Sequence, residues 1–167
     1  MPVSIALKGA RLLIPELKCA CGGAHHSPSQ DLLVGSGLVR KLPLYIKRRE
    51  LGEKAVMITD QAGWEAAGRS VLAALRDKGF EVTLTVLSKA RADERALGEA
   101  LLAMRMDTEF FVGVGADAVA SVTRSAATQT ERPYALLATQ PTGCGYLSRE
   151  AHMLLRGEPM TLPAVAP

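Results

Sequence analysis

Charge of one sign is scarce in this chain of 167 residues: Lys and Arg number 20, Asp and Glu 17, a net +3. That imbalance is too small to hold a nucleic acid or a membrane surface electrostatically, so neither is expected as a partner. The densest basic run, Lys47-Arg48-Arg49, falls at the end of an expected helix. Cations are favoured there by the helix dipole. Long apolar runs are also missing. None reaches the roughly 18 residues of a membrane span. The first 14 residues are broken by Lys8, Gly9 and Arg11 and do not read as a secretory signal. Cysteines number three, too few for a disulfide framework, and a reducing cytoplasm is the expected compartment. No internal repeat and no low-complexity linker divides the sequence.

What is present is an apolar content of 48% with 22% charged residues, enough for one domain with a packed core. The first 30 residues form an opening segment. Residues 4–14 are expected to be a short helix capped by Ser4, and 19–30 a loop holding Cys19, Cys21, His25 and His26. From residue 31 to 167 strand and helix patterns alternate. Residues 55–59 are a continuous apolar run, as in a strand buried on both faces of a parallel sheet. Residues 62–78 repeat with helical spacing, Trp64, Ala67, Val71, Leu72 and Leu75 sharing one face before Gly79. Strands are expected over 80–87, 109–112 and 134–138, and helices over 38–51, 93–104 and 116–128. Residues 151–167 read as a hairpin or extended tail turning at Gly157-Glu158-Pro159. The expected fold is α/β: a Rossmann-like, doubly wound, mostly parallel sheet in a single domain.

Four features carry chemistry. Gly113-Val114-Gly115 lies between a strand and a helix. Glycines there let the backbone approach a pyrophosphate, to which the helix offers N–H groups and a positive dipole. A tight turn with no ligand would need the same residues. Asp60 ends the buried strand over 55–59. An acid there either accepts a hydrogen bond from a ribose or caps the helix that follows. The third feature is the group Cys19, Cys21, His25 and His26, whose thiolates and imidazoles suit zinc. Its spacing is tighter than the usual zinc pair, and a polar loop with free thiols reads equally from it. Last, Thr139-Gln140-Pro141-Thr142-Gly143-Cys144-Gly145-Tyr146 follows the last strand of the alternating pattern, at the edge where such sheets hold ligands. Thr139, Thr142 and Cys144 could touch a cofactor or metal there, or the loop could simply be shaped by Pro and Gly.

Taken in order, these pieces resemble the glycerol-1-phosphate dehydrogenases, within the superfamily of iron-containing alcohol dehydrogenases and dehydroquinate synthase. Cys19-Ala20-Cys21-Gly22 with His25 resembles the family's Cys-Ser-Cys-Gly…His segment. Ile58-Thr59-Asp60 with Ala67-Gly68 resembles its second strand and following helix, and Ala92-Asp93-Glu94 its Pro-Asp-Glu. Gly113-Val114-Gly115 stands where it has Gly-Ser-Gly-Thr-x-Asn-Asp. The segment 138–146 stands where it has Ala-Thr-Ala-Pro-Ser-Met-Asp-Gly-Tyr. Residues 161–167 match its Thr-x-Pro-Ala-x-x-Pro.

The resemblance implies a front domain that binds NAD or NADP through Asp60, Gly113, Val114, Gly115, Thr139 and Thr142. It also implies a helical back domain carrying the histidines of a metal, usually zinc. Three departures accompany it. Cys144 replaces the metal-binding Asp, and thiolate is still a zinc ligand. Ala116, Ala118 and Val119 replace Thr, Asn and Asp of the glycine loop, removing hydrogen bonds to a cofactor. The family's helical domain follows the segment that matches Pro167, and His152 cannot stand in for its histidines. The expected protein is thus a dinucleotide-binding half that is catalytically incomplete by itself. Its expected partners are a dinucleotide and either a second chain supplying the helical domain or another copy of itself. A non-catalytic binding or assembly module is the alternative.

Overall fold

The computed structural model describes residues 6–13, 17–18, 20–22, 24–25, 31–140, 146 and 148–167. Where a helix was expected over 4–14, the described residues form a hairpin instead. Strands β1 (Ala6–Lys8) and β2 (Arg11–Leu13) pair antiparallel, Lys8 opposite Arg11. The two residues left for the turn are Gly9 and Ala10, and Gly9 takes φ 63°. A glycine at the first turn position of so tight a hairpin reverses the chain at no steric cost. The Leu12 N–H then donates to the Leu32 carbonyl, and the Val34 N–H to the Ala10 carbonyl. Two short strands, β3 (Leu17–Lys18) and β4 (Ala24–His25), make a second small antiparallel pair.

The body is a four-stranded parallel sheet in the order β6-β5-β7-β8, formed by β5 (Lys54–Thr59), β6 (Glu81–Val86), β7 (Phe110–Gly115) and β8 (Tyr134–Ala138). The central strands β5 and β7 are almost wholly buried, the edges half-buried. Side chains alternate between faces with period two. Ala55, Met57, Phe110, Val112 and Val114 pack against Ile46, Val71, Leu72 and Leu75. These belong to α1 (Leu38–Arg48) and α3 (Arg69–Arg76). Val56, Ile58 and Phe111 pack on the other face against Ala96, Ala100, Val119, Val122 and Ala126. Those belong to α4 (Glu94–Leu102) and α5 (Asp117–Thr130). Helices on both faces of a parallel sheet make the fold doubly wound, as the alternation predicts.

The helix expected over 62–78 runs from α2 (Gln61–Gly63) through a π-helical stretch, Trp64–Gly68, into α3. The C-terminal hairpin is also present, as β9 (Glu150–Leu155) and β10 (Glu158–Pro163). Its turn is Arg156-Gly157, one residue earlier than the Gly-Glu-Pro signal suggests, and both residues have positive φ, 55° and 85°. This backbone matches the twist of the flanking strands.

A buried cation locks the hairpin onto α5. Arg124 is fully buried. Its Nε donates to the Tyr134 hydroxyl at 3.2 Å and its Nη1 to the Glu150 carbonyl at 2.7 Å. Tyr134 in turn donates to the Val165 carbonyl at 2.7 Å. The Val165 N–H donates to Thr128 Oγ1 at 3.0 Å. These bonds hold both ends of the segment 148–167 against α5 and β8. No helix of the described residues is long and apolar enough to cross a membrane.

Candidate functional site

In a parallel sheet with helices on both faces, neighbouring strands whose connections leave in opposite directions open a crevice at their carboxyl ends. Here β5 leads into α2 and α3 on one face, while β7 leads into α5 on the other. That rule points to the ends of β5 and β7, at Asp60 and Gly115.

Gly113 and Gly115 stand inside β7, paired with Leu136 and Ala138, rather than in a loop after it. Their side of the strand faces α5. A Cβ on Gly113 would meet Thr123 Oγ1 at 2.5 Å, and one on Gly115 would meet Val119 Cγ2 at 2.6 Å. The two glycines thus let α5 lie directly on the strand, Val119 and Thr123 being one turn apart. The close approach brings the start of α5 to the strand end. The Ala116 cap position supplies no side-chain hydrogen bond to the first-turn N–H groups. Those groups and the helix dipole can accept an anion there. Val114 points its side chain into the opposite core, and its carbonyl accepts the Thr59 hydroxyl at 2.7 Å.

Asp60 is 5% exposed, and its Oδ1 accepts the Gly63 N–H at 2.7 Å. It is the cap of α2. The first turn of α2 is itself pressed onto β7: a Cβ at Gly63 would meet the Val114 carbonyl at 2.5 Å and Gly115 Cα at 2.9 Å. On the β8 side, the Gly115 carbonyl accepts the Thr139 N–H at 3.0 Å and the Tyr146 hydroxyl at 2.8 Å. Burial, then the nearby carboxylates of Asp117 and Asp60, push the Tyr146 phenol up from its ordinary value. Asp117, in the first turn of α5, is exposed. Asp60, Gly113, Val114, Gly115 and Thr139 therefore come together at one corner, each through backbone or a capping carboxylate. Tyr146 and Asp117 join them, though sequence reading assigned them no role; their signal was position, just after the loop and just after the second glycine.

Thr142 and Cys144 lie outside the described residues, as do Cys19 and His26. Cys21 is exposed. Among the described residues no three His, Cys, Asp or Glu gather in a way that could hold a metal ion.

The family model for iron-containing alcohol dehydrogenases matches residues 33–167. The chain belongs to that family. A glycerol-1-phosphate dehydrogenase [NAD(P)+] of Geobacillus thermodenitrificans is 29% identical over 161 residues, 92% of this chain and 40% of its own length. One of Methanosarcina mazei is 25% identical over 140 residues, 83% of this chain and 38% of its own. The chain spans about two fifths of the length of the curated relatives it matches. Among solved structures, the NADH-dependent butanol dehydrogenase A of Thermotoga maritima superposes with a TM-score of 0.76. It is 17% identical, over 86% of this chain and 42% of that one. A glycerol dehydrogenase of Schizosaccharomyces pombe gives 0.66 at 19% identity, over 75% and 32%. At these identities the superpositions establish the family's fold.

Proposed function

We propose that this chain is the dinucleotide-binding part of an NAD(P)-dependent oxidoreductase resembling glycerol-1-phosphate dehydrogenase, catalytically incomplete by itself. The observation that carries this reading is the β7–α5 corner, where a helix whose first turn lacks a side-chain cap begins at the end of a buried glycine strand. The diphosphate of a dinucleotide fits such a corner, as an anion held by backbone N–H groups. The names of the relatives, each a glycerol-1-phosphate dehydrogenase acting with NAD(P)+, point the same way. When bound, the nicotinamide supplies the hydride chemistry, and this chain's residues position it. The metal and most substrate contacts would come from a helical domain.

Titration calorimetry of the chain with NADH and with NADPH tests the reading. Saturable one-to-one binding of either is the expected result. No heat at millimolar cofactor would sink it.

One observation favours the second reading, a binding or assembly module without cofactor. Val119 is fully buried against Gly115, so a position where the family pattern has a polar residue is given over to packing. That reading predicts no cofactor binding together with self-association or capture of a helical partner.

A further inference from the structure

Helix α1 buries one face and shows the other to solvent. Ile46 belongs to the core, Val39 and Leu42 pack against it, and Pro43 is buried. On the outer side Arg40, Lys41, Leu44, Lys47 and Arg48 are all exposed. They stand at i, i+1, i+4, i+7 and i+8, the spacing that gathers side chains on one helical face. Leu44, 49% exposed, therefore has a pair of cations on the turn before it and a pair on the turn after. The helix contains no acid. None of the four cations has an ion-pair partner among the described residues. The acid that does come near, Asp31, is taken up by Arg49 at 2.6 Å and by Arg11 at 2.8 Å. Lys47 leans to the end of α3, its Nζ donating to the Lys78 carbonyl at 3.2 Å.

This one helix holds more than the whole net charge of the chain. Without its four cations the net +3 becomes −1. The overall balance therefore understates what this surface can attract. A partner in contact meets the charge within a Debye length, roughly 8 Å at physiological salt, rather than the sum over the molecule. The apolar centre narrows the kind of partner. Cations around an exposed leucine complement a surface that is anionic outside and apolar beneath. A bilayer leaflet with anionic headgroups is layered in that way: lysine and arginine meet the headgroups while an apolar side chain enters the boundary with the acyl chains. A duplex nucleic acid offers phosphates and polar grooves, which give the leucine nothing to enter. Two more exposed apolar side chains, Val34 and Leu7, lie in the segments that lead to the helix. Those segments are joined by the Val34 N–H bond to the Ala10 carbonyl at 2.7 Å.

We propose that the outer face of α1 docks this protein reversibly on anionic lipid bilayers, as a peripheral contact that does not span them. The proposal stands apart from the dinucleotide reading, since α1 takes no part in the β7–α5 corner.

The test is sedimentation with vesicles of phosphatidylcholine alone and of phosphatidylcholine with phosphatidylserine at about 7:3. The 167-residue chain is compared with Arg40→Gln/Lys41→Gln/Arg48→Gln and with Leu44→Ser. A control, Arg91→Gln/Arg95→Gln/Arg105→Gln, removes the same charge around α4, on the opposite face of the sheet. Every substituted side chain is exposed, and circular dichroism checks that each variant is folded. The wild type should bind the mixed vesicles only and be released by high salt. The α1 triple variant should bind on the order of a hundredfold more weakly, at about fivefold per cation. Leu44→Ser should lose several-fold, and the control should bind as the wild type does. Absence of binding to the mixed vesicles, equal binding to both vesicles, or equal losses in the two triple variants overturns the proposal. So does a Leu44→Ser protein that binds like the wild type; the same proteins titrated with a duplex oligonucleotide then show whether the face serves nucleic acid instead.

Discussion

The Tyr146 hydroxyl donates to the Gly115 carbonyl at 2.8 Å, joining a residue after β8 to the end of β7.

This tie makes stability fall in alkali. Burial raises the phenol of Tyr146, with Asp117 and Asp60 adding to it, and burial raises Tyr134 against the opposing pull of Arg124. A folded-state value above the ordinary 10.0 means that the stabilising contribution is complete below 10.0 and is lost as pH rises through the raised value. Tyr146→Phe should cost about 1 kcal/mol near neutrality. The gap between the two proteins should then narrow above about pH 10. Urea midpoints across that range check this, and a constant gap would count against it.

The glycines of β7 should tolerate no side chain. Gly113→Ala and Gly115→Ala push a methyl group into Thr123 or Val119, for an expected loss of about 1–3 kcal/mol each. Gly98, inside α4, has nothing within 4 Å of its Cβ direction. Gly98→Ala should therefore stabilise by about 0.5–1 kcal/mol through helix propensity. Thermal melts of the three variants would show opposite signs, and equal effects would refute the packing argument.

Removing the buried guanidinium should free the C-terminal hairpin. Arg124→Ala leaves the Glu150 carbonyl without that donor and opens a cavity, a loss of about 3 kcal/mol or more. Hydrogen exchange should quicken in β9 and β10 more than in β5. Uniform acceleration would mean that Arg124 does not act as a latch.

Acid should weaken the two ends of the sheet. Hydrogen bonds from Ser88 lower Glu99, and the N–H groups of Glu53 and Lys54 lower Glu109, both below the ordinary 4.5. A lowered folded-state value gives stability that is present above 4.5 and lost as pH falls through it. Glu109→Gln should flatten that acid limb in melts taken through this range. An unchanged slope would show the carboxylate to be a bystander.

Much of this was legible in the residues. Ala55 to Ile58 and the Tyr134 segment read as strands because apolar runs that short and unbroken suit a sheet covered on both faces. The helix through Val71, Leu72 and Leu75 read from its 3.6-residue period. The hairpin at Leu7 and Leu12 did not read, because three-residue strands are too short for period two to stand out from helical spacing. Arg124 was invisible as a core residue because an arginine inside a helix is ordinarily on the surface.

The corner divides along the same line. Sequence alone determined a glycine strand leading into a helix and, separately, a buried strand ending in an acid, since composition and period are local properties. Only the tertiary structure decided which way those groups face. It set Gly113 and Gly115 against Val119 and Thr123 and turned Asp60 onto Gly63. The reason is that facing depends on which helix packs over which strand, and those partners lie up to tens of residues apart in the chain.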